Sequence, residues 1–177
     1  MAIQPPEQRI WWKEPIAGIE LTWIIVAFLW GLVMFFMMIW WHAAGQQNLS
    51  NEAYRINGED YAKRAQAFAE KYKVGERGGV PVVQPPPGAD VYVIARLWQW
   101  WPILQLEKGK SYRLHLASLD WQHGFSLQPV NINLQVHPGY ELVTTITPKD
   151  KGEFTIVCNE YCGIGHHLMV GKLLVVE

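Results

Sequence analysis

The sequence has almost no excess of either charge, and it holds only two cysteines in 177 residues. Fifteen Lys and Arg residues against sixteen Asp and Glu residues give a net charge of −1. This balance argues against a nucleic-acid partner, which would need a basic surface. No internal repeat is visible, and the length leaves room for one ordinary domain with appendages.

One run of the sequence lacks charge altogether, "LTWIIVAFLWGLVMFFMMIWW" from Leu21 to Trp41. As a helix it would span roughly 31 Å, the thickness of a bilayer's hydrocarbon core. A cleaved signal peptide is the alternative, but the apolar run is too long for one, and His42 occupies a position where cleavage needs a small side chain. We therefore predict a retained transmembrane helix at residues 21–42, after a polar, interfacial segment at residues 1–20.

The few charges that flank this helix favour one orientation in the membrane. Arg9 and Lys13 precede it, whereas Arg55 is the nearest basic residue after it. By the positive-inside rule, the N-terminus is expected in the cytoplasm and the remainder of the chain on the outer side.

Residues 43–88 are predicted to form a linker with one amphipathic helix. The segment "EDYAKRAQAFAEKYK", residues 59–73, is rich in helix formers and places Tyr61, Ala65 and Phe68 near one face. The following "GERGGVPVVQPPPG" is rich in Pro and Gly and favours a stiff, extended connection. From residue 89 to residue 177, six or seven short runs rich in β-branched and aromatic residues predict a compact antiparallel sandwich or barrel.

The two cysteines stand close together in "IVCNEYCGIGHHLMVGK", with His166 and Met169 shortly after them. On the outer side of a membrane, a disulfide between Cys158 and Cys162 is the simplest alternative. Against it, the three residues between them lack Gly or Pro to help close so small a ring. One predicted strand also runs into the cluster and another leaves it, as expected for a loop that carries metal ligands.

Thiolate, imidazole and thioether donors together favour copper over zinc. A mononuclear blue-copper site uses one cysteine, so two cysteines point instead to thiolates that bridge two copper ions. Each copper then needs an imidazole, which requires a second histidine from elsewhere in the chain. Five histidines are available: His42, His115, His137, His167 and His123. We favour His123, because it lies in a strand-end loop.

"CNEYCGIGHHLM", together with "DWQHGF" upstream, resembles the binuclear copper (CuA) domain of subunit II of haem-copper oxygen reductases. The resemblance covers about residues 91–177. The single anchor helix, "NINLQV" and "QHGF" are closer to the B-type enzymes. The resemblance implies a mainly β, cupredoxin-like Greek-key sandwich behind one N-terminal transmembrane helix. It also implies a single-pass location in the cytoplasmic membrane of a bacterium or archaeon, with the copper domain on the periplasmic side.

Carried over by residue, the resemblance implies a complete set of copper ligands. Cys158 and Cys162 would supply two bridging thiolates, and His123 and His166 two terminal imidazoles. Met169 would supply an axial thioether, and Glu160 an axial backbone carbonyl. In some relatives the glutamate carboxylate also binds a magnesium ion shared with subunit I, so a magnesium site at Glu160 is a further expectation. Asp120 and either Asn131 or Asn133 are candidates for the surrounding hydrogen-bonding shell.

Tryptophans near this set are the candidates for the point at which electrons enter. Trp98 and Trp100 are two residues apart and would share one face of a predicted strand, with Trp101 on the other, so the alternative is that both pack in the core. The resemblance implies instead that an exposed aromatic here lies beneath the docked donor. Trp121, beside the candidate ligand His123, competes for the same role.

The function implied is that of the electron-accepting subunit of a respiratory oxidase. Cytochrome c or another small redox donor would reduce the copper pair, which would pass electrons to haem in subunit I, where oxygen is reduced to water. This chain has no pair of haem-ligating histidines in its one apolar helix. Two alternatives remain open: the small subunit of a CuA-containing nitric oxide reductase, and a membrane-anchored copper-binding or copper-delivery module.

Overall fold

A computed structural model describes residues 15–45, 51–128 and 130–177, and the chain divides into two compact units, residues 1–46 and 47–177. The predicted interfacial segment falls largely on residues 1–14, which lie outside the described residues. The same holds for Arg9 and Lys13, on which the predicted orientation depends, and for residues 46–50 of the predicted linker.

The described part of the first unit is one long apolar helix, α1 (Gly18–Ala44), of 27 residues. Its most apolar 18-residue window has a mean hydropathy of 2.4, and none of that window is buried. At 1.5 Å per residue the helix is about 40 Å long, enough to cross a bilayer. The Thr22 hydroxyl donates to the Gly18 carbonyl at 2.9 Å, so this side chain is satisfied within the helix. The predicted N-terminal apolar helix is therefore present.

In the described residues of the second unit, twelve strands form two sheets. Sheet A has five strands in the spatial order β1 (Asn51–Arg55), β10 (Tyr140–Ile146), β7 (Tyr112–Ser118), β4 (Asp90–Arg96) and β5 (Gln99–Trp101). Strands β4 and β7 run parallel, whereas the other neighbours in this sheet are antiparallel.

Sheet B has seven strands in the spatial order β2 (Lys73–Arg77), β3 (Val80–Val83), β6 (Ile103–Glu107), β12 (Val170–Val176), β11 (Gly152–Cys158), β8 (His123–Leu127) and β9 (Ile132–Val136). Strand β6 is parallel to both β3 and β12, and the remaining pairs are antiparallel. The predicted antiparallel sandwich therefore also contains three parallel pairs, because successive strands cross between the two sheets rather than forming hairpins throughout.

One hydrophobic core joins the two sheets. Its largest fully buried members come from both of them: Tyr112, Phe125, Leu106, Leu114, Leu116, Leu127, Ile146, Met169 and Leu173. Met169, a candidate ligand, thus belongs to the core itself. The predicted fold class, a mainly β sandwich preceded in the chain by one apolar helix, is confirmed.

The second helix, α2 (Gly58–Tyr72), matches the amphipathic helix predicted at residues 59–73. Asn57 caps it by accepting a hydrogen bond from the Glu59 N–H at 2.8 Å. Its buried side chains share one face, and the helix packs on β4 and β7 of sheet A and on β3 of sheet B: Tyr61, Ala65, Phe68 and Ala69. This packing agrees with the helical periodicity of the sequence.

The segment predicted as an extended linker contains a β-hairpin, formed by β2 and β3. Gly78 and Gly79 have φ of 57° and 78°, as a tight two-residue turn requires. Val82 and Val83 of β3 are buried, so the hairpin is part of the sandwich. The prolines that suggested a linker at residues 85–87 follow β3 and do not interrupt it.

Candidate metal centre

The cysteine loop connects two neighbouring strands of sheet B. Strand β11 alternates inward and outward, so Ile156 and Cys158 are buried while Val157 between them is exposed. The loop then runs through one turn of 3-10 helix, His166–Leu168, before β12 begins. Its two ends are joined because the Cys158 N–H donates to the Met169 carbonyl at 3.1 Å. The predicted position of this loop between two strands is confirmed.

The first cysteine lies beside one imidazole and one carbonyl oxygen. Cys158 Sγ is 3.9 Å from His123 Nδ1 and 3.3 Å from the Glu160 carbonyl oxygen. His123 is the first residue of β8, which pairs with β11, so the pairing of the two strands brings this imidazole to the loop. His123 is fully buried.

The second cysteine has an equivalent pair of neighbours. Cys162 Sγ is 3.6 Å from His166 Nδ1 and 3.8 Å from Met169 Sδ. The two sulfur atoms, Cys158 Sγ and Cys162 Sγ, are 3.8 Å apart, and both thiols are free. Each cysteine therefore has its own imidazole nitrogen and its own weaker donor, and the two halves meet at the sulfur pair.

This donor set fits copper. His123, Cys158 and Cys162 are all buried, and their ligand atoms lie within 4.8 Å of one another. Burial raises the pKa of the Cys162 thiol to about 11, and the neighbouring Cys158 adds to the shift. A thiolate buried at this position would need a compensating cation, and thiolate with imidazole and thioether selects copper among the common metals.

Asp120 holds the far side of the His123 ring. Its Oδ1 lies 2.8 Å from His123 Nε2, which leaves Nδ1 to face Cys158. Its carboxylate also accepts from the backbone N–H groups of Leu97 and Trp121, both at 2.6 Å. Burial acts to raise the pKa of Asp120, but the bonds from His123 and the two N–H groups more than offset it and lower this pKa. The carboxylate thus stays charged and fixes the orientation of the ring.

Strand β9 supports the start of the cysteine loop through two side chains. Asn133 Oδ1 accepts from Asn159 Nδ2 at 3.0 Å, and Gln135 Nε2 donates to the Glu160 carboxylate at 2.9 Å. Asn131 has a φ of 57° and lies in the turn before β9. The sequence reasoning missed Gln135, although "NINLQV" carries the signal, because Asn133 and Gln135 share one face of a strand.

Gly124 explains how closely β8 and the loop approach each other. A Cβ at this position would be 2.8 Å from the Glu160 nitrogen and would also collide with the Asn159 side chain. The Asn159 N–H in turn donates to the Gly124 carbonyl at 3.3 Å. The Gly in "QHGF" is therefore the sequence signal for this contact. From the sequence alone it was recognised only as part of the motif around His123.

The three candidate tryptophans occupy different environments. Trp98 is 40% exposed and lies against the loop, since a Cβ on Gly165 would be only 2.5 Å from its Cε3 atom. Trp100 is buried, with its ring edge-to-face to His123 at a centroid distance of 6.2 Å. Trp121 is 64% exposed and follows Asp120 directly. The strand predicted through Trp98 is broken at this point, because β4 ends at Arg96 and β5 starts at Gln99, which turns Trp98 outward.

Exposed apolar side chains surround the loop, three of them on the loop itself. They include Tyr161, Ile164 and Leu168, which are 80%, 88% and 69% exposed, in addition to Trp121. Tyr161 also contacts the ring of His166, with their centroids 5.8 Å apart. Large apolar side chains grouped on a surface indicate an interaction site.

The remaining candidate histidines do not join this group of donors. His115 is buried elsewhere, between Glu141 and Asp90, and His167 is exposed beside His166. His42 is exposed within α1, and His137 lies just after β9. Among the described histidines, His123 and His166 are the two whose ring nitrogens face the cysteine sulfurs.

No family model matches the chain, but individual known proteins are similar to it. The chain is 38% identical over 98 residues to cytochrome c oxidase subunit 2 of Thermus thermophilus, a match that covers 54% of this chain and 73% of that protein. Subunit 2 from a further strain of that species is equally similar, and there the match covers 58% of its length. A subunit of a haem-copper terminal oxidase dimer has the same fold, with a TM-score of 0.56 at 22% identity over 89% of this chain and 99% of that one. The chain belongs to the cytochrome c oxidase subunit 2 family.

Proposed function

We propose that this chain is the electron-accepting subunit of a respiratory haem-copper oxygen reductase and that its cysteine loop holds a binuclear CuA centre. The observation that carries the proposal is the paired arrangement of donors around two sulfur atoms 3.8 Å apart. Each cysteine has one imidazole and one weaker donor beside it. A mononuclear site would leave one of these half-sets without a use.

In this proposal the copper pair would be held by the thiolates of Cys158 and Cys162 and the imidazoles of His123 and His166. Met169 and the Glu160 carbonyl would be the weaker donors. A copper pair of this kind supplies a one-electron relay in which the shared electron changes the bond lengths little. The chain's own residues keep the donors in place: the Cys158–Met169 backbone bond joins the loop ends, and Asp120 orients His123. With all of these donors bound, the copper would have no open position for a substrate, so the site would transfer electrons without bond chemistry.

Electrons enter, in this proposal, through the aromatic side chains at the exposed side of the loop. Trp98 touches the glycines between Cys162 and His166, and Trp121 adjoins the Asp120–His123 pair. The exposed apolar side chains around them offer a docking surface for cytochrome c or a similar small donor. Trp100 is buried against His123, so it can shape the path but cannot touch the donor.

The partner that receives the electrons is expected to be the haem-bearing subunit I. Membership of the family and the apolar helix α1 together support a subunit anchored in a membrane beside such a partner. We further propose a cytoplasmic N-terminus and a copper domain on the periplasmic side. We also propose a magnesium ion shared between this chain and subunit I. One oxygen of the Glu160 carboxylate already accepts from Gln135, so this chain would offer the ion its other oxygen.

The first test is the copper content and the electron paramagnetic resonance spectrum of the full chain in detergent. We expect two coppers per chain and a seven-line hyperfine pattern, which arises when one electron is shared by two equivalent nuclei. One copper per chain with a four-line pattern would refute the binuclear site. Oxygen consumption by the purified complex, compared with turnover of nitric oxide, then separates an oxygen reductase from a nitric oxide reductase. Rapid loss of copper to a chelator would favour a delivery module.

A further inference from the structure

A second cluster of buried ionisable side chains lies on sheet A, apart from the cysteine loop. At its centre His115 of β7 is placed between two carboxylates. His115 Nδ1 is 2.7 Å from Glu141 Oε1, and His115 Nε2 is 3.1 Å from Asp90 Oδ1. His115 and Glu141 are 7% and 4% exposed, whereas the Asp90 side chain is half exposed. Copper binding makes no use of these residues.

Helix α2 is fastened to the sheet through this same cluster. Arg64 of α2 donates to Glu141 Oε2 at 3.2 Å, so one carboxylate joins the helix to His115. The hydroxyl of Tyr61, which is fully buried, lies 3.0 Å from the Val93 carbonyl and 2.9 Å from the His115 carbonyl. The helix therefore meets β4, β7 and β10 through hydrogen bonds as well as through apolar packing.

The geometry around His115 sets a requirement on its protons. A neutral imidazole has one N–H and one lone pair, so it can donate to only one of two acceptors. Here both ring nitrogens face carboxylate oxygens, and only the doubly protonated ring satisfies both. The charges of these four residues also favour the doubly protonated ring. Asp90 and Glu141 carry two negative charges and Arg64 one positive charge, so a protonated His115 makes the group neutral.

We propose that His115 is the proton-binding element of a clamp that holds α2 on sheet A, closed when the ring carries both protons and loosened when it loses one. Histidine is the side chain whose ordinary pKa lies nearest neutral pH, so a change of pH across this range tests the clamp. Loss of the second proton leaves a lone pair facing a carboxylate and removes a positive charge beside buried Glu141. The helix is then held by fewer charge-assisted hydrogen bonds and becomes more mobile.

The other charged and titratable groups around the ring are consistent with this direction. Tyr92 of β4 stacks on the ring at a centroid distance of 4.6 Å and contributes no charge at neutral pH. Arg113, on the same strand as His115, is paired with Glu52 of β1 at 2.8 Å, so these two charges largely cancel. On α2, Arg64 already engages Glu141 and cannot replace the proton on the side of Asp90.

The test is hydrogen exchange of the α2 amides in the copper-loaded full chain, with each rate divided by the intrinsic rate at that pH. In the unmodified chain, we expect protection of α2 to fall roughly tenfold or more between about pH 6 and about pH 9, the scale of one charge-assisted hydrogen bond. Asp90→Asn should abolish most of this fall, because the amide can donate to the lone pair of a neutral His115.

Asp60→Asn is the matched control, since Asp60 is an exposed acid on α2 that pairs only loosely with Lys63 at 3.8 Å. It should respond to pH as the unmodified chain does. Constant protection of α2 across this range in the unmodified chain would overturn the clamp. So would an equal loss of protection in Asp90→Asn. Copper content measured on the same samples is expected to stay constant, so the result does not depend on the function proposed for the cysteine loop.

Discussion

Gly124→Ala should disturb the proposed metal centre without replacing any of its candidate ligands. The new Cβ would lie 2.8 Å from the Glu160 nitrogen and 2.8 Å from Glu160 Cγ, and closer still to the Asn159 side chain. The Asn159 side chain can move aside, but the Glu160 nitrogen belongs to the backbone that presents the axial carbonyl. The start of the cysteine loop must therefore shift away from β8.

Overpacking of this kind costs about 1–3 kcal/mol. For a unit of this size, each kcal/mol lowers Tm by roughly 3–5 °C, so we expect Tm to fall by about 3–15 °C. Because the loop shift also changes the distance between Cys158 and the Glu160 carbonyl, now 3.3 Å, copper affinity should fall as well. Thermal melting followed by near-ultraviolet circular dichroism and competition with a copper chelator measure the two effects.

Gly75→Ala is the matched control, because a Cβ there meets nothing within 4 Å and its φ is not in the left-handed region. It should melt and bind copper like the unmodified chain. Adding Asn159→Ala to Gly124→Ala should restore only part of the loss, since the clash with the Glu160 backbone remains. If Gly124→Ala behaved like Gly75→Ala in both assays, the close approach of β8 to the loop would be refuted.

Three further substitutions test other parts of the structure. Cys162→Ser removes one of the two sulfurs, so we expect at most one copper per chain and no seven-line spectrum; two coppers in this variant would contradict bridging by both cysteines. Asp120→Asn removes the charge that orients His123, and copper affinity measured by chelator competition should fall about tenfold or more; unchanged affinity would show that Asp120 does not support the ligand. Burial raises the pKa of Tyr61 well above its usual value, so its ionisation in the unfolded chain favours unfolding as pH rises above about 10. Tyr61→Phe should therefore lose less stability between about pH 9 and 11 than the unmodified chain in denaturant titrations; an equal loss would argue against this burial.

A local sequence pattern shows which residues lie close together along the chain. This determines how much of the site could be predicted from the sequence alone. Cys158, Cys162, His166 and Met169 lie in one short loop, so their spacing carried most of the information about their proximity. His123 required knowledge of strand pairing, and its choice rested on its place at a strand end. The structure brings it to Cys158 through the pairing of β8 with β11.

Features that depend on tertiary pairing were harder to predict. The β2–β3 hairpin was taken for part of a linker because of the three consecutive prolines, residues 85–87, that follow it, and the Gly78–Gly79 turn was not recognised. The outward position of Trp98 depends on where β4 ends, and alternation along a single uninterrupted strand cannot show that. The support of Glu160 by Gln135 arises only when β9 lies beside the loop.

The position of the hydrophobic core bears on which parts of the chain can be exchanged independently of one another. Every described residue of its hydrophobic clusters lies in the unit that follows α1, and so do all the candidate copper ligands. Membrane attachment and metal ligation are therefore separable properties carried by different stretches of the chain. Replacement of α1 by another apolar helix, or its removal, would alter where the centre is held while leaving the donor set intact. We therefore expect the sandwich to hold the same donors together whichever apolar helix precedes it in the chain.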